Sequence, residues 1–196
     1  MRSGASARTL RIIGGLWRGR RLRFPPSPEI RPTPDRIRET LFNWLAARVP
    51  GARCLDLFAG SGALGLEALS RGAAHVTFVE RDAAAAREIA ARLAEWGTHL
   101  GSVEHADARS FLARTPAAAF DIAFLDPPFA STVLEETVAA LEHGGWLRDG
   151  ALIYIERPAD GAAPRVPAGW TPLKAKRAGE VGYHLYSRAA RGTSIE

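Results

Sequence analysis

Four consecutive residues, Asp126-Pro127-Pro128-Phe129, carry the most specific chemistry in this chain. Two prolines remove two backbone donors and stiffen the segment, leaving its carbonyls aimed in fixed directions. Asp126 and the Pro127 carbonyl then offer two acceptors to one donor pair, while Phe129 offers a ring face. That set suits a flat base with an exocyclic NH2 group, whose N–H bonds are held while the base stacks. Such a nitrogen is a poor nucleophile because its lone pair is delocalised into the ring. Holding both protons turns the lone pair toward an electrophile and stabilises charge developing on nitrogen. A plain strand-terminating turn is the competing reading of the same four residues.

A second constellation lies upstream. Gly60-Ser61-Gly62-Ala63-Leu64-Gly65 is a G-x-G-x-x-G between a buried-strand pattern and a helical one. Its glycines permit a tight turn and close approach of a ligand to the backbone. Glu80 follows twenty positions after Gly60, where a carboxylate accepts hydrogen bonds from both ribose hydroxyls. Two ligands compete for such a loop, a dinucleotide and S-adenosylmethionine. Asp56 tilts the choice, because an acid just before the loop is unfavourable near a pyrophosphate but suits a zwitterionic methionine. Asp107 stands after a third strand pattern, where an adenine amine can be met. Asp56, Glu80, Asp107 and Asp126 all fall at carboxyl ends of predicted strands, where open α/β sheets bind ligands.

The elements that must position these residues alternate. The patterns predict strands at 54–58, 75–80, 103–105, 120–126 and 151–156. Helices are predicted over 63–70, 82–96, 108–114 and 132–143, which makes βαβ units and a parallel sheet. Trp170–Arg177 and Tyr183–Ser187, joined across Gly179 and Gly182, read as an antiparallel hairpin at the sheet edge. Ahead of this lie a β-hairpin or ribbon over Leu10–Phe24, a proline-rich linker and an amphipathic helix over Asp35–Arg48. Thr33 is expected as the N-cap of that helix, with Pro34 at its first position.

Composition narrows the class. At 196 residues with 46% hydrophobic and 24% charged residues, the chain is globular and about one domain long. One cysteine, Cys54, excludes a disulfide framework or a cysteine zinc cluster. His75, His99, His105, His143 and His184 show no ligand spacing, so no metal is expected. Without a membrane-length apolar run or a signal-peptide core, a soluble cytoplasmic protein is the expectation. Charge is uneven: residues 1–53 hold 12 Arg against 3 acids, and the remainder is mildly acidic. A basic first quarter on an acidic body is the asymmetry of a polyanion grip, with Arg11, Arg18, Arg20, Arg21 and Arg23 as phosphate contacts.

Beyond these patterns there is a resemblance. The Asp-Pro-Pro-Phe loop, DLFAGSGALGLEALSRG (56–72) and RPTPDRIRETLFNWL (31–45) together resemble the bacterial 16S ribosomal RNA guanine-N2 methyltransferases of small, single-domain type. IIGGLWRGRRL (12–22), Val133-Leu134-Glu135-Glu136-Thr137 and ALIYIE (151–156) match too, so the resemblance runs from about Arg11 to Arg188. It implies an α/β, Rossmann-like class I S-adenosylmethionine-dependent methyltransferase fold. Its mostly parallel sheet would have seven strands with a C-terminal antiparallel hairpin, plus a small N-terminal β-hairpin and helix extension. The implied activity is methylation of one guanine amine in 16S rRNA with S-adenosylmethionine as donor; a small-subunit ribosomal particle as substrate, a monomeric enzyme and no metal are the further expectations.

Carried over by residue, the resemblance puts Asp56, Phe58, Gly60 and Gly62 around the methionine part of the cofactor. Glu80 falls on the ribose with Arg81 beside it, Asp107 and Ala108 near the adenine, and Asp126–Phe129 at the reaction. Arg31, Thr33, Arg38 and Glu39 look like a lid, where a cation meets the methionine carboxylate. A solvated helix face is the other reading of Arg38 and Glu39. The expected division is a basic extension over 1–48, a catalytic domain over 49–190 and a tail over 191–196. Rival functions are an adenine-N6 or cytosine-N4 methyltransferase, a dinucleotide-dependent oxidoreductase, and a noncatalytic RNA-binding module.

Overall fold

Strands that are apolar on both sides need helices over both faces. That is the arrangement in the computed structural model, which describes residues 8–24, 33–128 and 133–190. The N-terminal strands are β1 (Arg8–Arg11) and β2 (Arg21–Phe24), followed by α1 (Asp35–Trp44). Alternating units follow: β3 (Arg53–Asp56), α2 (Ala63–Ser70), β4 (His75–Glu80), α3 (Ala83–Glu95), β5 (Gly101–His105) and α4 (Ala108–Leu112). The chain continues through β6 (Phe120–Leu125), α5 (Val133–His143), β7 (Leu147–Pro158), β8 (Trp170–Ala178) and β9 (Val181–Arg188). The seven-stranded sheet runs β5-β4-β3-β6-β7-β9-β8, and β1 pairs only with β2. β3 through β7 are parallel, whereas β9 is antiparallel to both β7 and β8.

Period-two alternation decides which side each strand residue serves. Cys54, Phe78, Phe124 and Tyr154 join a core with Ile37, Leu41 and Phe42 of α1, Leu66 of α2 and Ile89 of α3. Leu55, Val79, Leu125 and Ile155 join the opposite core with Phe111 of α4 and Leu134, Val138 and Leu141 of α5. Continuing the first series by two residues gives Asp56, Glu80, Asp126 and Glu156. Four acids at the carboxyl ends of four strands thus share the α1–α3 side of the sheet.

The N-terminal extension is built into this core. Leu10, Ile12, Trp17 and Leu22 are buried in the cluster that contains α1, α2 and the sheet. The β1–β2 connection sits on the end of α2, where Gly15 adopts φ +75°. A Cβ there would lie 1.8 Å from the Ser70 carbonyl oxygen, so only glycine lets the chains meet. Ile13 and Gly14 donate their backbone N–H groups to the two Glu67 oxygens at 2.8 Å each, and Trp17 N–H donates to Ser70 Oγ at 2.9 Å. The boundary expected at residues 48/49 therefore does not separate two cores, and 191–196 lies outside the described residues.

Two local expectations are corrected. The N-cap of α1 is Pro34, which has no side chain to cap with, and Thr33 turns its hydroxyl into the sheet instead. β7 begins four residues before Ala151 because Arg148–Gly150 bulge between the pairs Phe120↔Leu147 and Ile122↔Leu152. Gly150, at φ +72°, marks the bulge rather than the strand start. Pro172 is tolerated in β8 because that strand is the sheet edge.

Candidate active site

β3 is the point at which strand order reverses, with β4 on one side and β6 on the other. Ligands of open α/β sheets bind there, outside the carboxyl ends. The glycine loop leaves β3 at this point. Gly60 (φ +52°) and Gly62 (φ +75°) both hold left-handed backbone, and Gly62 is the N-cap of α2. Gly65 has another role: a Cβ on it would stand 2.2 Å from Phe78 Cε1, so its absence lets α2 close onto β4.

The loop is held by carboxylates. Glu80 accepts from Gly60 N–H at 2.6 Å through one oxygen and from Asp82 N–H at 2.7 Å through the other. Asp56 accepts from Gly65 N–H at 2.9 Å. Asp107 caps α4, accepting from the backbone of Arg109 and Ser110 at 3.0 Å each and from Ser110 Oγ at 2.7 Å. These hydrogen bonds draw the exposed Asp107 carboxyl below its ordinary range. Asp56 behaves oppositely. Burial, opposed by the Gly65 bond and reinforced by Glu80 and Glu156, pushes it up to about 7.

The other half of the site is more sparsely bonded. Asp126 follows β6 and is half-buried; Pro127 is buried and Pro128 exposed. Thr33 Oγ1 donates to Glu156 Oε1 at 2.9 Å and stands 3.5 Å from Asp126 Oδ2. Tyr154 Oη donates to the same Glu156 oxygen at 2.9 Å. Burial pushes Glu156 up to about 7. Desolvation, with the charges of Glu156 and Asp56, raises Asp126 well above the carboxylate range. Three carboxyls at the ends of β3, β6 and β7 therefore resist ionisation together, and a cation between them would relieve all three.

The remaining expected residues divide. Phe58 is half-buried against the α4–α5 core, Ala108 is buried at the start of α4, and Arg81 is exposed with its carbonyl 3.1 Å from His105 Nε2. Arg38 departs from its expected role as a solvated or cofactor-facing cation. It is wholly buried and donates to Asp35 Oδ1 (2.6 Å), the Arg11 carbonyl (2.8 Å), the Thr33 carbonyl (3.2 Å) and Glu67 (3.4 Å). It is a brace between hairpin, α1 and α2. Arg11, Arg18, Arg20 and Arg21 are exposed along the hairpin. Arg11 pairs with Asp35 at 3.2 Å, and Arg20 lies over the Trp96 ring at 5.4 Å. Phe129 and the Arg23 side chain lie outside the described residues.

Sequence reasoning assigned no role to Glu156, Tyr154 or Glu67. Glu156 had a legible signal, since it repeats the acid-two-after-apolar pattern of Asp56, Glu80 and Asp126. Glu67 had a weaker one, as the single acid in the apolar helix ALGLEALS. Among the described residues no group of His, Cys, Asp and Glu is arranged to hold a metal, and no helix is long and apolar enough to cross a membrane.

The strand order, the glycine loop at the reversal and the row of carboxyls define a Rossmann-like methyltransferase fold. Solved structures agree. The Escherichia coli protein yhhF, a candidate methyltransferase by its description, is 51% identical with TM-score 0.85, over 93% of this chain and 99% of its own. A candidate methylase of Haemophilus influenzae is 41% identical with TM-score 0.80, over 92% and 99%. The family model described as "Conserved hypothetical protein 95" matches residues 10–187, and the chain belongs to that family. Its relatives include "Ribosomal RNA small subunit methyltransferase D" of Escherichia coli K12, 52% identical over 94% of this chain and 93% of that protein. The protein of the same description from Haemophilus influenzae is 44% identical over 90% and 93%.

Proposed function

We propose that this protein methylates the exocyclic N2 amine of a guanine in 16S ribosomal RNA, with S-adenosylmethionine as donor and a small-subunit particle as substrate. The observation that carries the reading is the Asp126 carboxyl. Among the described residues its only hydrogen-bond contact is a 3.5 Å approach of the Thr33 hydroxyl, and it stands beside the glycine loop at the strand reversal. A polar group so placed is built for a partner from outside the chain.

The residues present fit the cofactor. Gly60 and Gly62 bring backbone close, Glu80 offers ribose acceptors on oxygens already fixed by Gly60 and Asp82, and Asp107 and Ala108 border the adenine end. The buried carboxyls of Asp56 and Glu156, with the half-buried one of Asp126, suit a cationic neighbour, which a sulfonium provides. When bound, S-adenosylmethionine supplies an activated methyl group. Asp126 and the Pro127 carbonyl accept the two N–H bonds of the amine and orient its lone pair, while Phe129 stacks on the base. The amine becomes an acidic ammonium as the N–C bond forms, and Asp126 takes the released proton. The exposed hairpin arginines hold RNA phosphates. The protein works as a cytoplasmic monomer.

The test is transfer of labelled methyl groups to small-subunit particles from cells lacking the protein, followed by nucleoside analysis. N2-methylguanosine is expected. Label in N6-methyladenosine or N4-methylcytidine, or no label, overturns the reading.

A further inference from the structure

Glu156 is buried at 2% exposure on a strand two places from a buried tyrosine, and its setting is specific. One oxygen, Oε1, accepts from both Thr33 Oγ1 and Tyr154 Oη at 2.9 Å each. A threonine hydroxyl has one proton to give. The shorter bond goes to Glu156, so Asp126 Oδ2, 3.5 Å away, is left with the weaker contact. Tyr154 reinforces the choice, because its donated bond, like that of Thr33, favours the ionised form of Glu156 against the burial that opposes it. Resting on the reading that Asp126 receives the amine, we propose that Glu156 is a positioning residue for methyl transfer. By drawing the Thr33 hydroxyl toward itself and placing its own carboxyl beside Asp126, it leaves Asp126 the less firmly bonded of the two, open to the amine.

Among the described residues, few groups face Asp126. Glu156 on β7 and Asp56 at the end of β3 are acids that raise its proton affinity, and the Thr33 hydroxyl lowers it. Tyr154 faces the same cluster as a neutral phenol. The Arg38 guanidinium binds the Thr33 carbonyl at 3.2 Å and so fixes where the hydroxyl stands. In the reaction, the amine's N–C bond forms, the sulfur–methyl bond breaks with its electron pair going to sulfur, and one N–H proton passes to Asp126. A more basic Asp126 takes that proton more readily. It also protonates at higher pH when idle, which sets the acidic limb of the rate profile.

The experiment is single-turnover methyl transfer to small-subunit particles at saturating cofactor, followed across pH. Glu156→Gln removes the charge but keeps the shape. Its acidic limb is expected about one pH unit lower than the parent's, with a plateau rate lower by about tenfold. Glu156→Asp, which restores the charge, is expected to return the limb to the parent position. An unmoved limb in Glu156→Gln overturns the proposal, since a merely structural residue changes the plateau alone. If Glu156→Gln does not fold, Thr33→Val tests the same coupling in reverse. Losing the shared hydroxyl should raise the limb, and no movement overturns the proposal. Asp126→Ala separates the two readings. If Asp126→Ala turns over normally, the assignment of Asp126 itself has failed; if it is slow while the Glu156→Gln limb is unmoved, only the role of Glu156 has.

Discussion

The two halves of the site treat their carboxyls in opposite ways. On the cofactor side, Glu80 has a backbone N–H on each oxygen and Asp107 has three donors. On the transfer side, Asp126 has, among the described residues, one long contact, to a hydroxyl that stands closer to Glu156. The first half is finished in the folded protein and holds its loop in shape without help. Among the described residues the second has no such set of donors, and on the proposed reading it is completed by the amine and cofactor that bind. Asp56 lies between them, bonded to Gly65 yet raised to about 7 by burial and neighbouring acids. Preorganised recognition and stored chemical demand therefore sit on either side of β3.

If the halves differ in this way, substitutions should separate into rate effects and affinity effects. The largest is expected on the transfer side. Asp126→Ala should slow single-turnover transfer by about 10²–10³ while changing cofactor affinity little. Calorimetry showing that it mainly weakens the cofactor would dissolve the distinction. Next comes the hairpin, which belongs to neither half. Replacing Arg18, Arg20 and Arg21 together by Gln should lower the salt slope of RNA binding by roughly two to three and leave cofactor affinity intact. An unchanged slope would make them ordinary solvated arginines.

Glu80→Ala should be smaller and of the other kind, weakening S-adenosylmethionine by about 1–3 kcal/mol. Because Gly60 N–H loses its partner too, the melting temperature should fall with it. Unchanged affinity in a calorimetric titration would remove Glu80 from the ribose. The effect at Asp56 is smallest on function and falls on stability instead. The native state keeps its proton up to about pH 7 where the unfolded chain releases it near the ordinary 3.8, so its burial costs stability that grows across that window. Asp56→Asn should match the parent below about pH 4 and gain on it as pH rises toward 7, by on the order of 1 kcal/mol or more. Denaturation of the ligand-free proteins at pH 5 and pH 8 measures this, and a constant difference would mean that Asp56 is ionised throughout.

Much of this was legible because it is local. The G-x-G-x-x-G, the acid twenty places on and the runs of 4–6 apolar residues specify turns, strands and helix starts through steric and hydrophobic preferences acting over a few residues. The helix over Ala63–Ser70 and the strand over His75–Glu80 have the boundaries the pattern predicts. Thr33 did not follow its local preference. Thr-Pro before an amphipathic helix is a cap by propensity, but the hydroxyl finds a buried carboxylate 123 positions away and takes it. Arg38 is similar: on a helical wheel it is a polar residue, and only docking of the hairpin and α2 around it makes it a buried brace.

By itself the sequence determined the alternation of elements, the placing of acids at strand ends and the basic first quarter, since each is a property of short range or of composition. The basic extension, which charge alone makes an arm, became part of the core only in three dimensions. Leu10, Ile12, Trp17 and Leu22 bury against α1 and the sheet, and Glu67 receives the hairpin's backbone. The convergence of Thr33, Asp56, Asp126, Tyr154 and Glu156 was likewise decided by tertiary structure. Strand order brings β3, β6 and β7 side by side, and burial in a shared low-dielectric space makes separate acids interact. Which hydroxyl proton serves which carboxylate depends on differences of a fraction of an ångström, and those exist only once the chain has packed.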